Sequence, residues 1–188
     1  MDNPKIGDLV AKMNTTLAHE GLSEAQILDQ AKSLMQDLIR QDDWLDDAYA
    51  QPHPVHYQQY PLYVCPQGRF SLVSFVWGPG QSTPVHDHTV WGVIGMLRGA
   101  EIAESYERLA DGGIRLSGRT ELRTGMIDCV SPTIGDIHRV ANRYDDRVSI
   151  SIHLYGADIG AVKRHVFNPE TGDAKPFTSG YAQPVLRP

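Results

Sequence analysis

Residues 84–89 read PVHDHT, and this stretch decides the fold and the chemistry that the sequence predicts. Two histidines one residue apart cannot share a helix face, but a β-strand puts both imidazoles on one side and the intervening aspartate on the other. The flanking segments, residues 70–77 and 90–97, are rich in β-branched and aromatic residues, as strands are. His86 and His88 therefore indicate a metal held inside a β-structure. For the pair alone, two ordinary loop histidines remain an alternative, because His-x-His also arises by chance.

From residue 55 onward, the sequence consists of short apolar runs separated by turn residues. The runs cover residues 55–64, 69–77, 90–98, 100–108, 114–122, 126–130, 137–141 and 147–155. Many short strands with regular turn signals predict a β-sandwich or a small closed β-barrel. No helix-length pattern separates the runs, which argues against a parallel α/β sheet.

The N-terminal quarter is predicted to be a helical hairpin. Residues 4–19 carry apolar side chains at helical spacing, and Gly21 follows them. Ser23 and Gln26 have the spacing of a capping box, which marks the start of a second helix with one apolar face. We expect that face to pack on a larger structure, and a binding role is the alternative.

We expect residues 1–188 to form a single domain, since the chain is of ordinary domain length. Within it, residues 1–48 form the helices and residues 55–167 the β-barrel. Residues 168–188 are rich in Pro, Gly and Thr, and we expect an irregular tail on the surface. No repeat, low-complexity segment or long linker divides the sequence.

The composition is typical of a soluble globular protein, with 41% hydrophobic and 21% charged residues. A net charge of -6 without a basic block argues against a nucleic-acid partner. No apolar run is long enough to span a bilayer and the start lacks signal-peptide features, so we expect a cytoplasmic protein without a membrane partner. In that reducing compartment, Cys65 and Cys129 are expected to be unbridged thiols.

A metal needs more than two protein donors, so a further histidine is expected to join the pair. His138 lies in a β-like run, residues 134–140, that leaves a turn much as His86 does. His138 is therefore the predicted third ligand, and His153 is the alternative.

The last strong strand pattern, residues 148–155, has two different faces. One face carries Ser149, Ser151, His153 and Tyr155, and the other is apolar. This pattern suits a hydrogen-bond relay in which His153 is bonded on both ring nitrogens and the Tyr155 hydroxyl points at a reacting group. The alternative is a half-exposed edge strand, where such residues are common.

Three motifs occur in order along the chain. They are PVHDHT at residues 84–89, GDIHRV at residues 135–140 and SIHLYG at residues 151–156. With these motifs, the chain from about residue 57 to residue 164 resembles the bacterial thiol dioxygenases, a cupin group that contains cysteine dioxygenase and 3-mercaptopropionate dioxygenase. The resemblance implies a jelly-roll barrel of the cupin type. It further implies an iron(II) site with His86, His88 and His138 as ligands, and a relay of Ser151, His153 and Tyr155.

The chain departs from the mammalian-type cysteine dioxygenases at two places. Those enzymes carry a cysteine shortly after the histidine pair, cross-linked to the active-site tyrosine, whereas residues 90–93 here read VWGV. No thioether to Tyr155 can therefore form there. They also hold the substrate carboxylate with an arginine early in the barrel, where this chain has Gln59. At both places, the chain is similar to the 3-mercaptopropionate-type enzymes. This resemblance implies that Arg164 binds the carboxylate. The alternative is that Arg164 is a solvated charge on the surface.

The resemblance implies an enzyme that adds both atoms of O2 to the sulfur of a small thiol carboxylate, gives the sulfinate and uses Fe(II). Three neutral imidazoles would leave a divalent iron its full charge, which favours an incoming thiolate because coordination lowers the thiol pKa. Gln59 would add a neutral hydrogen bond to the substrate beside Arg164. It favours 3-mercaptopropionate as the substrate, and cysteine and mercaptosuccinate stay open.

Two other functions stay open at this point. Three histidines around zinc would suit a hydratase or a hydrolase. A non-catalytic cupin that binds a small ligand would show tight binding without turnover. The sequence leaves the oligomeric state open as well.

Overall fold

The computed structural model describes residues 3–183 and begins with the predicted helical hairpin. Helix α1 spans Pro4–Ala18, helix α2 spans Glu24–Ile39, and a short 3-10 helix spans Asp47–Tyr49. The Ser23 hydroxyl accepts a hydrogen bond from the Gln26 backbone N–H, and the Gln26 side chain accepts one from the Ser23 N–H. The predicted capping box is therefore confirmed. Within residues 3–183, no helix combines the length and the apolar character needed to cross a membrane.

The described part of the chain then contains eleven strands. They are β1 (Gln58–Val64), β2 (Ser71–Trp77), β3 (Val85–His86), β4 (Gly92–Arg98), β5 (Ala100–Arg108), β6 (Ile114–Arg123), β7 (Ile127–Val130), β8 (Ile137–Asn142), β9 (Ser149–Tyr155), β10 (Arg164–Phe167) and β11 (Ala174–Phe177). One antiparallel sheet has the order β1-β2-β9-β4-β7, and the other has the order β11-β10-β3-β8-β5-β6. These sheets are the two layers of a jelly roll, so the predicted mainly β fold is confirmed. Strand pairing within residues 3–183 does not close them into one continuous barrel.

Strand β9 lies in the middle of the five-stranded sheet, and all of its residues are buried. Its apolar face, with Ile150 and Leu154, shares a core with the two helices. Because the helices cover that face, the other face, with Ser151, His153 and Tyr155, is turned towards the second sheet. The alternative of a half-exposed edge strand is therefore wrong.

Two strands lie beyond the last one that the sequence predicts. Strand β10 pairs with β3 and places Val166 opposite His86, and β11 pairs with β10. Strand β11 falls inside residues 168–188, for which the sequence predicts an irregular tail. The pattern misses this strand because it is a short, mostly exposed edge strand that contains Pro176 and has no apolar alternation. Residues 184–188 of the predicted tail lie outside the described residues.

Candidate metal centre and the adjoining cavity

The structure brings together the three histidines that the sequence predicts as ligands. Strand β3 carries His86, His88 follows two residues later, and the pairing of β3 with β8 places His138 directly opposite His86. One ring nitrogen from each histidine lies within 4.8 Å of the others, and all three side chains are buried. Among residues 3–183, no carboxylate joins this cluster. His153, the alternative third ligand, is not part of it.

Hydrogen bonds orient two of these rings so that the same nitrogen of each is free. The Nδ1–H of His86 donates to the Pro84 carbonyl at 3.1 Å, and the Nδ1–H of His88 donates to Asp136 Oδ1 at 3.0 Å. Because these acceptors place the ring proton on Nδ1, the Nε2 lone pair of each ring is left for a metal.

Asp136 holds the chain around His88 as well as its ring. Its carboxylate accepts the His88 backbone N–H at 3.0 Å and the Thr89 N–H at 2.8 Å. Thr89 has a φ of 60°, a left-handed conformation that non-glycine residues seldom adopt and that these bonds stabilise. Burial opposes ionisation, but these hydrogen bonds and the His88 ring lower the pKa of Asp136. The carboxylate is therefore charged and acts as an acceptor.

The cluster suits a divalent transition metal because its imidazoles stay neutral. Burial, together with the neighbouring ring of His88, lowers the pKa of His86 to about 3. Burial likewise lowers the pKa of His138 well below its usual value. At neutral pH, protons therefore do not compete for these nitrogens. Three buried nitrogen donors with open positions fit iron(II) or zinc, not the hard cations that prefer oxygen.

Replacing Asp136 with alanine is expected to weaken metal binding by about 10–100-fold, because the His88 ring loses the acceptor that sets its tautomer and orientation. Competition with a chelator of known affinity measures this change. Asp111→Ala, at an exposed turn, is the control and should bind metal normally. An unchanged affinity in Asp136→Ala would show that the histidines are oriented without the carboxylate.

The polar face of β9 forms the predicted hydrogen-bond relay. Ser151 Oγ lies 2.8 Å from His153 Nε2, and His153 Nδ1 lies 2.8 Å from the Tyr155 hydroxyl. The His153 ring is stacked on Phe75 with the ring centroids 3.9 Å apart, and the Tyr155 ring is stacked beside His88 at 5.4 Å. The relay therefore runs along one strand and ends at the histidine cluster.

Burial sets the protonation of the relay, and close packing sets its position. Burial lowers the pKa of His153 well below its usual value and raises the pKa of Tyr155, so both side chains are neutral. Gly92 lies against the tyrosine ring, and a Cβ at that position would be 2.8 Å from Tyr155 Cδ1. Glycine is therefore required there for the phenol to occupy its place.

A cavity of about 360 Å³ adjoins the histidine cluster. Its wall includes His86 from the cluster and Tyr155 from the end of the relay. Gln59 and Arg164, which are predicted to bind the substrate, line the same cavity. The structure thus gathers these four predicted site residues around one space.

Arg164 is only 3% exposed, so the alternative of a solvated surface charge is wrong. Its Nη2 donates to Ser179 Oγ at 2.7 Å, and its guanidinium carbon lies 4.8 Å from the centre of the Phe177 ring. Its Nε has no hydrogen-bond partner, and it makes no ion pair within residues 3–183. A buried cation is normally paired, so this end of the cavity suits an anion.

Gln59 contributes a second unsatisfied group to the cavity. Its buried Oε1 has no hydrogen-bond partner among residues 3–183. Rotation of the amide exchanges oxygen and nitrogen, so Gln59 can offer either an acceptor or a donor to a polar ligand.

Several residues that contact or line the site are not assigned a role by the sequence. Asp136, Tyr57 and Ser179 contact or line the site, and the indole N–H of Trp77 donates to Ser151 Oγ at 3.1 Å. Asp136 precedes His138 by two residues, so its place in that motif was the available signal. Tyr57, Trp77 and Ser179 have no such signal, because only the packing of the sheets brings them to the cavity.

Comparison with known proteins places the chain in a family. A family model described as cysteine dioxygenase type I matches residues 13–167. The cysteine dioxygenase type 1 of Rattus norvegicus is 29% identical over 115 residues, which cover 59% of this chain and 56% of the relative. That of Danio rerio is 26% identical over 109 residues, 56% of this chain and 53% of the relative.

Among solved structures, a Klebsiella pneumoniae protein with a double-stranded β-helix domain is 16% identical, with a TM-score of 0.48. That match covers 62% of this chain and 91% of the other. The chain spans about half the length of the curated relatives it matches. Since the family model covers most of the sequence, including all three histidines and the relay, the chain belongs to the cysteine dioxygenase type I family.

Proposed function

We propose that this protein is a mononuclear non-haem iron(II) thiol dioxygenase that converts a small thiol carboxylate into its sulfinate with O2. One observation within residues 3–183 carries the proposal: a buried cluster of three histidines, which no carboxylate joins, borders through His86 the cavity that Arg164 also lines. Arg164 Nε has no hydrogen-bond partner among those residues. A molecule with a thiol at one end and a carboxylate at the other matches both ends of that cavity. Membership of the cysteine dioxygenase type I family supports the same reaction class.

His86, His88 and His138 would hold the iron, and when bound it supplies the Lewis acidity that deprotonates a thiol and the redox chemistry that O2 requires. The chain's own contribution is to keep these imidazoles neutral and oriented. Asp136 and the Pro84 carbonyl do so by accepting the ring N–H of two of them.

Arg164 and Gln59 orient the substrate at the other end of the cavity. The guanidinium forms a charge-assisted hydrogen bond with the carboxylate, while Ser179 and Phe177 hold the group in place. The carboxylate is thereby fixed while the sulfur lies at the histidine cluster, which orients the thiol for reaction. We favour 3-mercaptopropionate over cysteine as the substrate. Because 3-mercaptopropionate has no amine to place at the metal, its carboxylate can lie farther from the metal and so reach Arg164.

Tyr155 gives the cavity a neutral phenol beside the reacting groups. Its hydroxyl is held by His153, which Ser151 and the stacked Phe75 ring keep in place. The phenol can therefore give a hydrogen bond to the reacting oxygen or sulfur without a change of position, which is the arrangement that lowers a barrier by preorganisation.

The same proposal extends to the binding partners of the enzyme and to its location in the cell. Its partners are O2 and a small thiol, and its net charge of -6 fits neither nucleic acid nor an anionic membrane surface. Cys65 and Cys129 are not bridged to each other. We propose a cytoplasmic location, because unbridged thiols are the normal state in a reducing compartment.

An aerobic assay of the iron-loaded full chain tests the function. We expect oxygen uptake with 3-mercaptopropionate, cysteine or mercaptosuccinate, and a product heavier than the thiol by two oxygen atoms. The highest kcat/KM identifies the preferred thiol. Zinc instead of iron in the purified protein, with no oxygen uptake after iron loading, would favour a hydratase or hydrolase. Tight thiol binding without any product would favour a ligand-binding cupin.

Tyr155→Phe is expected to keep its iron but to lose kcat on the order of 100-fold, because the relay then ends without a hydroxyl at the cavity. Steady-state oxygen uptake and metal analysis of the same sample measure both properties. Tyr63→Phe, on β1 and outside the cavity, is the matched control. A Tyr155→Phe enzyme with wild-type kcat would exclude the phenol from the reaction.

A further inference from the structure

Asp87 lies between two of the three clustered histidines, and the proposed function gives it no role. Both of its carboxylate oxygens bind one residue, His165. Oδ1 accepts the His165 backbone N–H at 2.7 Å, and Oδ2 accepts the ring Nδ1–H at 2.9 Å. In return, the Asp87 backbone N–H donates to the His165 carbonyl at 3.1 Å. Three hydrogen bonds, here called the 87–165 clamp, therefore join the two residues.

The 87–165 clamp extends a short strand pairing. Strand β3 has two residues, and its pairing with β10 ends where His86 lies opposite Val166. Asp87 and His165 would be the next pair in this register, and the Asp87 N–H makes the bond expected there. The return bond from the His165 N–H goes to the Asp87 side chain instead of its backbone carbonyl. The carboxylate therefore completes the pairing at the point where β3 ends.

The clamp and the cavity lie on opposite faces of the same two strands. His86, Val166 and Arg164 line the cavity. Asp87 and His165 alternate with these residues, so their side chains lie on the other face. The Asp87 side chain is nevertheless only 13% exposed, so water competes little for its oxygens. The residue next to Arg164 is thus held firmly from outside the cavity.

The clamp affects the spacing between the histidine cluster and Arg164. Arg164 lies two residues along β10 from Val166, the partner of His86, and two residues correspond to about 7 Å of extended chain. Any movement of β10 relative to β3 changes this spacing. The other neighbour of β10 in the sheet is the edge strand β11, which places Phe177 opposite Arg164. The short pairing and the clamp therefore connect the strand of the arginine to the strand of the histidine.

Asp136 holds a histidine in the same way. Its carboxylate accepts the backbone N–H and the ring Nδ1–H of His88. His88 belongs to the candidate metal cluster, whereas His165 does not join that cluster within residues 3–183. One aspartate therefore orients a histidine of the metal centre, and the other holds the residue beside the arginine.

We propose that Asp87 is a positioning residue that fixes β10 beside β3 and thereby sets the length of thiol carboxylate that the cavity accepts. This inference rests on the proposed function, in which the sulfur lies at the histidine cluster and the carboxylate at Arg164. Asp87 itself touches neither end of the substrate. A ligand held at both ends by fixed groups is selected by its length, because a misplacement of about 1 Å can cost on the order of 100-fold in rate.

The response to substrate length tests the proposal. Mercaptoacetate, 3-mercaptopropionate and 4-mercaptobutyrate differ by one methylene each, and we expect wild type to prefer one of them by about 10-fold or more in kcat/KM. Asp87→Ala should lose most of this preference, because Arg164 is no longer held at one spacing. For the preferred thiol, KM should rise more than kcat falls. Steady-state oxygen uptake by the iron-loaded full chain measures these changes.

Metal content separates this role from support of the metal centre. The ring of His86 keeps its acceptor, the Pro84 carbonyl, and the ring of His88 keeps Asp136. The iron content of Asp87→Ala should therefore stay at the wild-type level. A loss of iron with an unchanged length preference in the loaded fraction would assign Asp87 to the metal centre and overturn the proposal.

Two measurements need no turnover. Calorimetric titration of the Zn(II)-loaded full chain with the three thiols should show clearly different values of Kd for wild type and similar values for Asp87→Ala. Hydrogen exchange of the His165 backbone N–H, followed by NMR in the same protein, should be about 10-fold or more faster in Asp87→Ala. Asp87→Asn keeps an oxygen for this N–H and should restore part of the protection.

Substitutions of His165 provide a rescue and a second route if Asp87→Ala does not fold. His165→Ala removes the ring bond and should weaken the length preference, whereas His165→Asn can return an N–H to Asp87 Oδ2 and should restore it. Asp173→Ala is the matched control, because this exposed carboxylate lies in the turn between β10 and β11 and bonds Thr171. It should behave as wild type.

The outcomes distinguish this proposal from the proposed function. Wild type that neither binds nor oxidises any of the three thiols would overturn the proposed function and this inference with it. Wild type that oxidises all three equally would overturn only the inference. A wild-type length preference in folded Asp87→Ala, or in His165→Ala where Asp87→Ala does not fold, would likewise remove Asp87 from the control of substrate length and leave the dioxygenase activity established.

Discussion

His138→Ala is expected to abolish iron binding and, with it, thiol-dependent oxygen uptake. The variant leaves two donors, His86 and His88, and opens a gap where β8 presents the third imidazole opposite β3. Loss of a group that only orients a metal-binding histidine costs about 10–100-fold in affinity, so loss of the donor itself should exceed that range.

Metal content per chain and oxygen uptake on the same preparation measure this effect. The matched control is His19→Ala, which removes an exposed imidazole at the end of α1 and should bind iron and turn over normally. Circular dichroism of both variants shows whether the fold is kept. Wild-type iron content and turnover in folded His138→Ala would disprove the proposed ligand set.

Arg164→Ala is expected to raise KM for the thiol carboxylate on the order of 100-fold while iron stays bound. The guanidinium is buried, its Nε has no hydrogen-bond partner, and residues 3–183 offer it no carboxylate. We therefore propose that the substrate supplies the counter-charge. Truncating one partner of a buried charged hydrogen bond costs about 2–5 kcal/mol, which corresponds to a loss of this size.

Lys163→Ala is the control for charge, because it removes the exposed cation next in the sequence and should leave KM unchanged. Arg164→Lys separates charge from geometry: we expect it to recover only part of the affinity, since an ammonium group cannot offer the planar fork. A thiol without a carboxylate should bind wild type and Arg164→Ala equally. An unchanged KM for the carboxylate substrate in Arg164→Ala would remove the arginine from the site.

The sequence alone determined which side chains could act together along each strand. Alternation at two-residue spacing put Ser151 with His153 and Tyr155, because neighbouring side chains of a strand point to opposite faces. The same pattern pointed to His86 and His88, but β3 ends at His86, and Asp136 holds His88 beyond the end of the strand. Helical spacing and the Ser23 capping box likewise determined the N-terminal hairpin, because these signals are local. These local patterns do not depend on how the rest of the chain folds.

Only the tertiary structure decided what those faces meet. Both faces of β9 are buried, because the helices cover its apolar face and the second sheet covers its polar face. The local sequence pattern of β9 does not predict this packing. Asp136 reaches His88 across 48 residues. Arg164 is buried although an arginine is usually exposed. Such contacts depend on strand order and register, which arise from packing the whole chain at once.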